Sequence, residues 1–85
     1  MYYFYVLQNI DDESDFYIGY SSNLRQRLES HNRGSNFSTK NKRWRIFYYE
    51  AYLAKDVARR RERKLKNNPR MKKLLFNRLL SLDKE

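Results

Sequence analysis

Arg27 and His31 stand four residues apart, so on a helix both side chains leave from one face. Arginine presents a planar fork of N–H donors that fits phosphate oxygens, and histidine exchanges a proton near neutral pH. Tyr5 and Tyr17 fall in aromatic and β-branched runs that read as adjacent strands, so both phenols can point to one sheet face. Glu62 is a single acid inside the basic run Arg59-Arg60-Arg61-Glu62-Arg63-Lys64. Its carboxylate is a hard oxygen ligand suited to Mg²⁺ or Mn²⁺, ions that keep several waters and need few protein ligands. These side chains cover what phosphodiester hydrolysis requires: an activated oxygen nucleophile, stabilisation of the charge that builds on the phosphate oxygens, and help for the leaving oxygen.

Taken singly, each residue also has an ordinary structural reading. A strand tyrosine is usually core or sheet surface, and Arg27 can be a solvated helix residue. His31 can be structural, and Glu62 can be the i,i+4 partner of Lys66.

Length and composition narrow the setting. A chain of 85 residues supports one domain, 1–85, with a small core that eight Tyr, five Phe and one Trp help to fill. There is no cysteine, which excludes disulfides and thiolate metal sites. No apolar run is long enough for a transmembrane helix, and the aromatic start lacks the features of a signal peptide. The expected location is cytoplasmic, with no membrane partner. Net charge is +9, unevenly spread: residues 1–20 hold four acids and no base. Residues 54–78 hold eleven Lys or Arg against Asp56 and Glu62, a surplus equal to the whole net charge. Such a stretch suits a polyphosphate backbone, because binding releases condensed counterions.

The elements that must position these residues follow from pattern. Residues 2–8 and 16–20 read as strands joined by an acidic turn, an antiparallel hairpin. Ser21, Ser22 and Asn23 are N-cap candidates for a helix whose Leu24, Leu28 and His31 share a face, with Gly34 as its stop. Residues 34–43 read as a loop and 44–53 as a third strand. A helix follows over 54–66, with Ala54, Val57, Ala58 and Leu65 on its apolar side and Arg61 inside that stripe. Asn68 and Pro69 open a last helix to about residue 82, with Met71, Leu74, Leu75, Leu79 and Leu82 as its apolar side. The expected fold is α+β, a three-stranded antiparallel sheet flanked by helices in the order β-β-α-β-α-α.

Placed on those elements, the residues resemble the GIY-YIG nuclease family. Tyr17-Ile18-Gly19 matches the second half of its signature, and Tyr3-Phe4-Tyr5 keeps the final tyrosine of the first half. Arg27 and His31 fall ten and fourteen residues after Tyr17, and the stretch from Ala58 to Lys66 is similar to the helix bearing the family's metal-binding glutamate. The similarity runs over residues 2–75 and is nearest to the small stand-alone branch, related to the catalytic domain of the bacterial excision-repair incision nuclease.

The resemblance implies roles. Glu62 would hold one divalent ion, Mg²⁺ or Mn²⁺. Tyr5 would be general base on the attacking water, although His31 fits that role as well. Tyr17 and His31 would orient the network or the phosphate, Arg27 would stabilise the transition state, and Gly19 would permit close backbone or substrate approach at the strand end. The expected substrate is nucleic acid, DNA in the first instance. Lys40, Lys42, Arg43, Arg59, Arg63, Lys66, Lys72 and Lys73 are the expected backbone contacts, which position a substrate without reading its sequence. With no appended specificity domain, a protein partner could direct the cut. The competing readings are a non-catalytic nucleic-acid-binding module on the same fold, and a small protein whose basic face docks on an acidic partner.

Overall fold

The structure is a computed structural model; it describes residues 1–34 and 40–83, so the middle of the loop expected over 34–43 lies outside the described residues. The elements run β1 (Tyr2–Asn9), β2 (Phe16–Ser21), α1 (Leu24–Asn32), β3 (Trp44–Tyr52), α2 (Lys55–Asn67) and α3 (Pro69–Asp83). This is the expected α+β order, and the strands form one antiparallel sheet in the order β2-β1-β3.

β1 is the central strand, and alternation along it divides the core. Phe4 and Val6 face one way and pack with Ile18, Leu65 and Leu75 under α2 and α3. Tyr5 and Leu7 face the other way, with Trp44, Tyr17, Leu24 and Leu28 under α1. A register shift opposite Val6 and Leu7 leaves Phe47 unpaired between Ile46 and Tyr48. Consecutive residues Phe47 and Tyr48 consequently both reach the α2–α3 core, which strict alternation forbids.

The caps are those that the sequence offers. The Asn23 side chain accepts from the Gln26 N–H at 3.1 Å to start α1, and Gly34 follows its end with φ +78°. Asn68 caps α3 by accepting from the Met71 N–H at 3.2 Å. Two bonds staple the end of α1 to β3: the Trp44 N–H donates to Asn32 Oδ1 at 2.7 Å, and Asn32 Nδ2 donates to the Trp44 carbonyl at 3.1 Å. They fix the last turn of α1, which carries His31, against the sheet.

Arg61 does belong in the apolar stripe of α2. Its stem lies over the sheet with its guanidinium 5.7 Å from the Phe4 ring centre, and its fork donates to both oxygens of Glu50 at 2.9 and 3.2 Å. Tyr48 and Tyr52 also donate to that carboxylate. Burial works to raise the Glu50 carboxyl, but the hydrogen bonds from Arg61, Tyr52 and Tyr48 outweigh it and hold the group below its ordinary pKa. The apolar side expected for α3 is only partly used: Leu75 is buried, whereas Leu74 and Leu82 are 63% and 56% exposed. Ala54, expected on the apolar side of α2, is exposed as its N-cap residue. The sheet is too narrow to cover a helix side that wide.

Candidate active site

Tyr5 and Tyr17 leave β1 and β2 on the α1 side of the sheet, as the paired registers Tyr5↔Gly19 and Leu7↔Tyr17 require. Gly19 has no side chain, and the Tyr5 phenol lies over it. A β-carbon at Gly19 would sit on the Tyr5 hydroxyl and 2.5 Å from the ring carbon Cζ. The group that approaches Gly19 closely is the Tyr5 side chain.

α1 brings its Arg27–His31 face down on these two rings. Tyr5 Oη and His31 Nε2 are 2.9 Å apart, and the His31 ring centre is 4.6 Å from that of Tyr17. Burial pushes the Tyr5 phenol up to about 12, although a hydrogen bond and the charge of Arg27 work the other way. Burial also lowers the His31 imidazolium pKa, assisted by the charges of Arg27 and Lys66. At neutral pH Tyr5 is thus protonated and His31 neutral, which makes Tyr5 the donor and His31 Nε2 the acceptor.

α2 supplies the acid. Glu62 faces the same cluster and its charge acts on Tyr5, raising the phenol further. Its side chain is 17% exposed, and its one ion pair among the described residues is Lys66, whose ammonium lies 3.6 Å from Oε1. That separation is beyond a hydrogen bond, so the carboxylate oxygens are only loosely engaged. A shielded, loosely engaged carboxylate fits a hard divalent ion completed by water and substrate oxygens. No three His, Cys, Asp or Glu side chains come together as a metal cluster among the described residues.

Burial divides the five residues. Tyr5 and His31 are 1% and 2% exposed and lie beneath the surface. Tyr17 and Glu62 are half-buried and Arg27 is exposed. Arg27, Tyr17 and Glu62 are thus the accessible members of the set, and the Tyr5–His31 pair is the buried one.

The basic residues are placed less uniformly. Arg59, Arg63 and Lys66 are exposed on α2 at helical spacing with Glu62, along one side of the cluster. Lys66 goes further than its expected role: its ammonium lies 5.3 Å from the centre of the Tyr17 ring as well as beside Glu62. The i,i+4 spacing to Glu62 was the signal for it. Lys42 and Arg43 are tied to acids of the β1–β2 turn, with Lys42 2.9 Å from Asp15 and Arg43 paired with Asp11. Lys40 is exposed in the turn before them, and Lys72 and Lys73 are exposed on α3, apart from the α2 row.

Residues 1–74 match the GIY-YIG catalytic domain. The chain belongs to this family, whose members are generally nucleases that act on nucleic acid and use divalent metal ions. It is similar to a "UPF0213 protein" of Bacillus pumilus (strain SAFR-032), with 31% identity over 86 residues, covering 99% of this chain and 86% of that protein. No solved structure gives a significant match. No helix among the described residues is long and apolar enough to cross a membrane.

Proposed function

We propose that this protein is a metal-dependent endonuclease hydrolysing phosphodiester bonds, in DNA in the first instance, and that residues 1–85 work as one catalytic domain. The observation that carries the reading is the gathering of Tyr5, Tyr17 and His31 beside Arg27 on the α1 side of the sheet, with Glu62 of α2 near enough for its charge to act on the Tyr5 phenol. A binding module has no need of the lone, loosely engaged acid in that basic setting. A divalent ion bound at Glu62 would supply Lewis-acid polarisation of the phosphate and a lowered pKa for the attacking water.

The chain's own residues then divide the work. Arg27 holds the non-bridging oxygens and stabilises the charge that grows on them. It also stands close enough to the buried pair for its charge to act on the Tyr5 phenol. Tyr5 takes the water's proton as it passes its own to His31 Nε2, so the pair acts as one base and neither residue suffices alone. This resolves the difficulty of a phenol raised to about 12, because the net acceptor is a neutral imidazole. Tyr17 packs on His31 and keeps its ring aimed at Tyr5. Arg59, Arg63 and Lys66 neutralise substrate phosphates beside the cut. The direct test is a cleavage assay on duplex, nicked, flapped and single-stranded DNA and on RNA, with Mg²⁺, Mn²⁺ or EDTA. Binding with no cleavage in any metal would leave only a binding module.

Arg27→Ala should lower the single-turnover rate by about 10²-fold or more, the scale of a lost transition-state donor. Affinity should change less than about tenfold, since other cations hold the backbone. Arg27→Lys should rescue poorly, because an ammonium lacks the two-donor fork. Arg25 is the control, exposed on α1 two positions away and about 200° around the helix. Equal damage from Arg25→Ala would show that the assigned face of α1 is wrong.

The pH profile tests the relay. Protonated His31 cannot accept the Tyr5 proton, so kcat/KM should rise with pH through a His31 pKa lying below 6.5 and then level off. The same limb should vanish from the residual activity of His31→Gln. A limb centred above pH 7, or one retained in that variant, would remove His31 from the base.

A further inference from the structure

Two polar clefts meet at Arg27. One, of about 430 Å³, is lined by Tyr2, Tyr20, Ser21, Ser22, Arg27 and Lys55. The other, of about 260 Å³, shares Ser21 and Arg27 and adds Gln26, Ser30 and Arg33. Joined at the shared residues, they make a trough with Arg27 in the middle, Lys55 at one end and Arg33 at the other. Its lining carries three cations, several hydroxyl donors and no acid. Lys55 and Arg33 have no carboxylate partner among the described residues, unlike Lys42 and Arg43. Arg27 to Arg33 is six residues of helix, about 9 Å along the axis. That is the rise of two or three stacked nucleotides at roughly 3.4 Å each.

The wall between Arg27 and Lys55 is aromatic. Tyr2 and Tyr20 both line the cleft that holds Arg27 and Lys55, and both are half-buried. A ring beside a row of cations is the arrangement that takes unpaired bases, whose faces are free to stack while their phosphates run along the charges. A base inside an intact duplex is already stacked on its neighbours and cannot reach such a wall.

We propose that this trough seats an unpaired stretch of polynucleotide strand, with Lys55 and Arg33 holding phosphates on either side of the one at Arg27 and the Tyr2 and Tyr20 rings meeting its bases. The proposal rests on the nuclease reading for the phosphate at Arg27, and it names the substrate class: a single strand, or the unpaired arm of a branched nucleic acid. It also adds Lys55, at the start of α2, together with Arg33, Tyr2 and Tyr20 to the substrate contacts.

Binding to the full chain carrying Glu62→Gln separates this from the chemistry. Fluorescence anisotropy with a 12-nucleotide oligothymidylate, its ribo counterpart oligouridylate, and a 12-base-pair duplex gives the comparison. At least one of the two single strands should bind more tightly than the duplex. Tyr20→Ala should weaken single-strand binding by about five- to a hundredfold, the effect of losing one stacked base, and leave duplex binding within twofold. Tyr20→Phe, which keeps the ring, should bind like its parent. Lys55→Glu changes only an exposed side chain, so it keeps the test open if Tyr20→Ala fails to fold. It should weaken single-strand binding at least tenfold and make its salt dependence shallower. Equal or tighter duplex binding, equal loss on both substrates in Tyr20→Ala, or unchanged single-strand binding in Lys55→Glu would overturn the trough. Failure of the nuclease reading shows separately, as absence of cleavage by the protein with Glu62 intact.

Discussion

Glu62→Gln should reduce cleavage by about 10³-fold or more while leaving nucleic-acid affinity unchanged or slightly improved. Glutamine keeps the shape of the side chain but removes the charge that holds a divalent cation. The loss includes both the polarised phosphate and the lowered pKa of the attacking water, which explains a larger effect than for a single hydrogen-bond donor. The fold should survive, because what the substitution breaks is a loose pair with Lys66 at 3.6 Å, worth at most about 1 kcal/mol by the measure of surface pairs. Affinity for the anionic substrate can rise because one negative charge leaves the site. The measurements are single-turnover cleavage, substrate Kd, and Mn²⁺ binding to the free protein, with a thermal melt as control. Wild-type cleavage in the variant, or undiminished wild-type cleavage in EDTA, would sink the assignment.

Gly19→Ala should be nearly as damaging, through position instead of charge. The new methyl would occupy the place of the Tyr5 hydroxyl and lie 2.5 Å from Cζ, inside any allowed carbon contact. Tyr5 is 1% exposed and packed on Leu7 and Trp44, so its ring cannot swing away without disturbing that core. The phenol must leave His31, which breaks the 2.9 Å bond on which the relay depends. The expected outcome is a rate loss of about 10²-fold or more, with a stability loss of about 1–3 kcal/mol from overpacking. A double-mutant cycle distinguishes this from general damage. Tyr5→Phe alone should lower the rate by a similar factor, and adding Gly19→Ala to it should lower the rate little further. Fully additive rate losses would show that Gly19 acts on something other than Tyr5.

Much of this was legible in one dimension. β-branched and aromatic runs, Asn23, Asn68 and Gly34 mark the elements because each satisfies a local backbone requirement that hardly depends on the rest of the chain. Arg27 and His31 share a face wherever a helix is formed, and alternation puts Tyr5 and Tyr17 on one side of any register that pairs Tyr5 with Gly19. The lone acid Glu62 stood out by charge alone.

What the chain could not disclose depends on distant partners. The fate of Arg61 was settled by Glu50 eleven residues away, on a strand whose register is shifted by the unpaired Phe47. The bases Lys42 and Arg43 looked free until the sheet carried Asp15 and Asp11 to them. Leu74 and Leu82 read as core because periodicity reports a helix face and not whether a narrow sheet has room to cover it. The close packing at Gly19 likewise shows only with Tyr5 laid across it. Sequence by itself determined the elements, the fold class and the residue types of the site, since these rest on local sterics and side-chain chemistry. Tertiary structure alone decided which charges are neutralised, which tyrosine is buried against His31, and where the trough through Arg27 runs, since desolvation and pairing are properties of the space between elements.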